Sequence, residues 1–120
     1  MTKRIALLPL LLSLAACQTM AGAGAVSERA TVNLGEPATR AAVTEVLARA
    51  VGRARIELGP TDGPLTAIIT VLPPPPGPYE TNSMAMPVRF DIELREEGCV
   101  AVRHDTGQAY PLASVQCEPA

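Results

Sequence analysis

The sequence predicts an α+β fold in two layers, with one N-terminal amphipathic helix packed on a four- or five-stranded antiparallel meander. Three observations carry this expectation. Apolar residues recur at helical spacing between Glu36 and Ala54. The spacing then changes to two over residues 86–95. Gly- and Pro-rich turns separate several short apolar runs after the helix. A length of 120 residues allows one domain and not comfortably two. The 19 alanines supply much of the apolar content, and the aromatic residues are only Tyr79, Phe90 and Tyr110, so the expected core is light.

The N-terminal segment comes first. Lys3 and Arg4 precede an apolar stretch from Ile5 to Ala16 that contains Pro9. Such a stretch is too short for a helix that crosses hydrocarbon, which needs about 20 apolar residues, and it suits the apolar region of a signal peptide. It ends in Leu14-Ala15-Ala16-Cys17. Basic start, apolar run, small residues and cysteine in this order resemble the lipobox of bacterial lipoproteins. The resemblance covers residues 1–17 only. It implies cleavage before Cys17, acylation of the Cys17 thiol with palmitate or a similar chain, and acylation of the new amino terminus. Two or more chains give stable attachment to a membrane without spanning it. Gln18 rather than Asp after the cysteine implies, by the same resemblance, the outer membrane facing the periplasm. An ordinary secretory signal with an incidental cysteine is the other reading, and both imply export.

On this reading residues 1–16 are a signal peptide, residues 17–30 the lipidated cysteine and a flexible tether, and residues 31–120 a single domain. The processed chain keeps 104 residues with eight arginines, no lysine and twelve acids, a net charge of −4. With Cys17 taken by lipid, Cys99 and Cys117 remain as an even pair in an oxidising compartment, where a disulfide is the first expectation. Residues 18–30 are small, polar and aperiodic, as in a tether.

Val43, Val46, Leu47, Ala50, Val51 and Ala54 then mark one face of a helix, with Pro37 in its first turn and Gly35 just outside. Arg40, Glu45, Arg49 and Arg53 fall on the opposite side. Arg49, Arg53 and Arg55 admit an anion site, and the simpler reading is a solvated helix face. Residues 55–58 alternate briefly, and residues 59–64 form a turn. Residues 65–72 are β-branched and apolar on both faces, as in an interior strand. Met86, Val88, Phe90, Ile92 and Leu94 alternate with polar positions and give the clearest strand, with Pro87 at its start. A three-residue loop over residues 96–98 is expected to pair Leu94 with Val100, Ile92 with Val102 and Phe90 with His104, turning Cys99 away from the helix. A last hairpin through residues 105–108 returns as one strand over 109–117, with Ala101 near Val115 and Arg103 near Ala113.

Chemistry-bearing constellations are scarce, and an enzyme is not expected. His104 would need Ser27, Ser83 or Ser114 beside it to act as a catalytic base, and none stands in a nucleophile-elbow context. No catalytic residue, metal site or cofactor is assigned: Cys99, Cys117 and His104 match no zinc spacing, and Glu93, Glu96 and Glu97 lack a calcium loop. A pI near 5.3 and the absence of an aromatic platform exclude nucleic acid. The least ordinary stretch holds Pro73, Pro74, Pro75, Pro76, Pro78 and Tyr79. Consecutive prolines favour a pre-ordered extended segment that docks at low entropic cost, so these are the candidate partner-binding residues. A stiff crossover that blunts a sheet edge is the competing account. The function expected is that of a membrane-anchored envelope lipoprotein acting as a non-enzymatic binding or assembly module, with an envelope protein as possible partner. The alternative is a periplasmic protease inhibitor presenting the rigid Pro-rich loop. Oligomeric state is not legible.

Overall fold

The computed structural model describes residues 27–79 and 85–120. The segments read as signal peptide, lipidated Cys17 and tether up to residue 26 lie outside the described residues. One helix and seven short strands follow in the order β1 (Ser27–Asn33), α1 (Pro37–Val51), β2 (Leu65–Thr66), β3 (Ile68–Val71), β4 (Val88–Arg95), β5 (Gly98–Arg103), β6 (Ala109–Pro111) and β7 (Glu118–Pro119). Every strand pair is antiparallel. The fold is α+β, and a strand precedes the helix that was expected to open it.

That first strand takes in residues 27–30, which composition assigned to the tether. Ser27, Glu28 and Arg29 pair with Arg95, Leu94 and Glu93 of β4, and Ala30 is fully buried. Pairing uses backbone groups that every residue carries, so small polar side chains do not announce it. Beyond Arg29 the strand parts from β4. Ala30 and Thr31 pair with Pro119 and Glu118 of β7, and Val32 and Asn33 with Thr66 and Leu65 of β2. The chain from β2 to β3 fills the wedge between β1 and β4. It bends at Ala67, whose carbonyl accepts the Ile92 N–H at 2.9 Å. Only Ile69 and Val71 of the run over 65–72 are buried, and Leu65 is 62% exposed, so the run offers one face to the core and not the two expected.

The helix keeps its expected face but is shorter at both ends. Pro37 occupies the first turn, where its missing N–H costs nothing. Val43 and Leu47 are fully buried against Val32, Ile69, Phe90, Ile92 and Leu112. Burying one such side chain stabilises by about 1.5–3 kcal/mol. The helix stops at Val51 because Gly52 turns left-handed at φ 72°. The Gly52 N–H then donates to the Arg49 carbonyl at 3.1 Å and the Arg53 N–H to the Ala48 carbonyl at 2.9 Å, a Schellman closure. A Cβ at Gly52 would meet no atom within 4 Å. Gly52→Ala should therefore cost about 1–2 kcal/mol through backbone strain alone, read as a lower urea midpoint at an unchanged denaturant slope.

The β4–β5 hairpin corrects the expected register. Its turn holds two residues, Glu96 and Glu97, and pairs Arg95 with Gly98, Leu94 with Cys99, Ile92 with Ala101 and Phe90 with Arg103. Gly98, at φ 122°, stands at the start of β5 instead of inside the loop. A one-residue slip turns every side chain over, so Cys99 faces the helix-covered core instead of the opposite face. Cys99 and Ala101 are small, and they leave room above β5 for the C-terminal segment that crosses this face.

That segment is the second correction. The single return strand expected over 109–117 ends at Pro111; one more ladder bond follows, from the Leu112 N–H to the Cys99 carbonyl at 2.9 Å, before the chain turns inward. Ala101 pairs with Tyr110 and Val102 with Ala109, not with residues near 113–115. Leu112 and Val115 turn into the core, and the chain passes over the face to reach β1 at the far side of the sheet. Cys117 meets Cys99 on the way, with an S–S distance of 2.02 Å and Cα atoms 6.1 Å apart. The sheet is consequently more than a meander. Strands β3 to β6 pair consecutively, whereas β1 joins β2, β4 and β7.

The outer face of the sheet carries charge. Nε and Nη2 of Arg89 both donate to Oδ1 of Asp91, and those of Arg95 to Oε1 of Glu93, each closing to 2.9 Å. These pairs are partly exposed and contribute about 0–1 kcal/mol each. Strand β4 thus has one buried and one solvated face, as its alternation predicts.

Candidate functional site

The proline-rich stretch leaves the sheet where β3 ends. Leu72 is fastened to the fold at the root of this stretch: its N–H donates to the Glu57 carbonyl at 2.9 Å. Its carbonyl accepts from Nη1 of Arg53 at 2.9 Å. Arg53 follows the Gly52 stop, so the end of the helix positions the guanidinium that clamps the root of the loop. On the other side of this root, Leu58 forms a single bridge with Val71, and the Gly59 N–H donates to the Thr70 carbonyl at 2.8 Å. The brief alternation over 55–58 accordingly becomes a short edge beside β3.

From this root the chain projects outward. Pro73 is half-buried and, with Pro75, borders a shallow depression lined also by Arg53, Arg55, Ile56, Glu57 and Leu72. Pro74, Pro75, Pro76 and Pro78 are exposed, and Tyr79 is 99% exposed. Residues 80–84 lie outside the described residues, and the chain re-enters β4 through the exposed Met86 and Pro87. Five of the six candidate residues are thus exposed on a segment fixed at its base through Leu72, and they include the amphipathic ring of Tyr79. Such a ring offers apolar area and a hydroxyl at low entropic cost.

The other residues weighed for chemistry are scattered. Nδ1 of His104 stands 3.4 Å from Oδ2 of Asp91, not beside Asp105, and the histidine side chain is 60% exposed. Asp105 instead accepts from Nε of Arg103 at 2.8 Å. Ser27 donates its hydroxyl to Glu93 at 2.8 Å. Ser114 lies on the crossing segment above the core face, beside the disulfide, whereas His104 meets Asp91 on the outer face. Ser83 lies outside the described residues. No serine among the described residues completes a triad with His104 and Asp91. No group of three potential metal ligands occurs among the described residues. No described helix is long and apolar enough to cross a membrane.

Sequence reasoning found the loop but not its clamp. Arg53 and Leu72 are 19 residues apart, and nothing in their spacing announces the contact. Of the arginines read on the solvated helix side, Arg40, Arg49, Arg53 and Arg55 share one shallow groove along α1. The Arg49–Glu45 pair expected at i,i+4 is present at 3.5 Å and exposed on both sides. Compared with protein-family models, curated proteins and solved structures, the chain matches none.

Proposed function

We propose that this chain is a lipid-anchored envelope protein whose domain acts as a non-enzymatic binding or assembly module, docking a partner through the loop of Pro73–Pro76, Pro78 and Tyr79. The observation that carries the docking is Tyr79, fully solvated on a segment whose root is fastened by Arg53 to the Leu72 carbonyl. A solvated aromatic on a proline-stiffened projection lowers the ordering cost of binding. The Leu14-Ala15-Ala16-Cys17 motif supports the anchor, and the Cys99–Cys117 bridge fits an exported chain. Attachment to the outer membrane, facing the periplasm, follows from Gln18 on the same resemblance.

The inhibitor reading draws less support. The bridge joins Cys99, opposite Leu94, to the C-terminal segment, whereas the loop enters at Val88. Six residues of strand put about 20 Å between them, so the disulfide braces the fold and not the loop.

One experiment tests both halves of the proposal. The full chain, expressed in a diderm bacterium, should incorporate labelled palmitate and sediment with membranes, and Cys17→Ser should abolish both. Crosslinking in intact cells should capture a discrete envelope protein that disappears when residues 73–79 are replaced by a Gly/Ser linker. An unchanged crosslinking pattern removes the loop, and unlabelled, soluble wild-type chain removes the anchor.

A further inference from the structure

Apart from Arg29 of β1, which has no carboxylate in ion-pair range among the described residues, the arginines of this domain divide into two populations. Those on the sheet, Arg89, Arg95 and Arg103, each contact a carboxylate at 2.8–2.9 Å. Those along the outer side of the helix do not, apart from the loose exposed pair of Arg49 with Glu45. No carboxylate among the described residues lies in ion-pair range of Arg40 or Arg55, and Arg53 is held by a backbone carbonyl. Together the four border one open groove, with Ala48 and Ile56 in its floor and Glu45 as the only acid in its lining. Half of the eight arginines in the described residues are thus gathered on one face of a chain whose net charge is negative.

Cationic rims over an apolar floor are the side-chain arrangement that suits the boundary between lipid phosphates and acyl chains, where arginine stems lie along apolar surface and their heads reach the phosphates. We propose that this groove seats the domain on an anionic phospholipid surface, with lipid phosphates paired to Arg40, Arg49, Arg53 and Arg55. The proposal rests on the lipoprotein reading for what holds the domain near a bilayer. From Cys17 to Ser27 the chain spans at most about 35 Å, enough to pass from the sheet edge to the outer side of the helix, one layer of about 10 Å away. Two acids oppose the four arginines nearby, Glu45 in the groove and Glu57 in the depression that adjoins it at Arg53 and Arg55, which leaves the arginines in excess. The acids of the outer sheet face lie beyond the helix layer, more than a Debye length of about 8 Å from a surface touching the groove. The groove is open along the helix and no residue of a named strand lines it, which favours a lipid surface over a peptide added as a strand.

The test uses residues 18–120, because the described fold and its disulfide lie within residues 27–120. The protein is sedimented with vesicles of phosphatidylcholine alone, and with vesicles containing an equal share of phosphatidylglycerol. Binding is expected to the anionic vesicles only, and to fall as salt rises. Each arginine near such a surface changes partitioning by roughly fivefold, so R40Q/R55Q should lose about twenty-five-fold. Glu45→Gln should gain a few-fold, an outcome that misfolding cannot imitate. Equal binding to both vesicles, or full binding by R40Q/R55Q, overturns the proposal. So does binding to polyglutamate without binding to vesicles, which reassigns the groove to an acidic protein partner. Because residues 18–120 lack Cys17, this result is independent of palmitate labelling, which tests the lipoprotein reading separately.

Discussion

Removing the Cys99–Cys117 bridge, by Cys99→Ala with Cys117→Ala, is expected to lower the unfolding free energy by about 3 kcal/mol. The bridge closes a loop with a sequence separation of 18, and constraint of the unfolded chain by a loop of that size is worth about that much. Alanine is the proper replacement, because Cys99 is 7% exposed and a hydroxyl there would be buried without an assured partner. Domains commonly unfold with only about 5–15 kcal/mol, so the loss is a large share. It should also be uneven. The segment after Leu112 is held by few backbone bonds, among them Val115 N–H to the Leu112 carbonyl and Ala120 N–H to the Arg29 carbonyl. Without the bridge, the amides of Val115 and Ala120 should exchange with solvent well before those of β4 and β5. Urea denaturation of oxidised and reduced protein, with amide exchange on both, measures the two effects. A change of only a few tenths of a kcal/mol would show that the crossing segment holds itself in place.

The same bridge shows how far the sequence could be read. Its pairing followed from the cysteine count and from the expectation of export that residues 1–17 raise, yet its place in the fold did not. Leu94 meets either Val100 or Cys99, and both registers offer β5 an apolar pair to bury: Val100 with Val102, or Cys99 with Ala101. Alternation is silent between them. What decides is tertiary: Leu112 and Val115 bring the C-terminal chain over the helix-side face, and Cys117 can meet Cys99 only there. Helix α1 was legible because one continuous segment carries its whole apolar stripe, although Gly52, which ends it, passed unread between Val51 and Arg53. Ser27 to Ala30 passed for tether because their strand is made by backbone pairing with β4. In the candidate site, the projecting segment was legible from its five prolines and the tyrosine that follows them. The guanidinium of Arg53 on the Leu72 carbonyl was not, since it joins segments that only the fold brings together.

Phe90→Ala is expected to be the costliest single substitution, at about 3–5 kcal/mol. Phe90 is the chain's only phenylalanine and is fully buried. It stands in β4 with Ile69 of β3 on one side and Arg103 of β5 on the other. Its ring meets Tyr110 edge-on, with centroids 6.1 Å apart and planes at 68°. The buried core around it is built from Val, Leu, Ile, Ala and Cys99, all smaller than the ring, so its removal leaves a space that they do not fill. The aromatic edge contact adds about 0.5–1.5 kcal/mol beyond the area buried. Phe90→Leu keeps most of the volume and should cost about 1.5 kcal/mol or less, so the pair of variants separates the empty space from the lost ring contact. The sharper result comes from combining this change with loss of the bridge. Losses of about 3 and 3–5 kcal/mol together match the whole stability of an ordinary small domain. Phe90→Ala should therefore unfold cooperatively in urea while oxidised and show no cooperative transition once Cys99 and Cys117 are reduced. A sharp transition in the reduced variant would mean that Ile69, Ile92, Leu47 and Leu112 hold the two layers together without the ring.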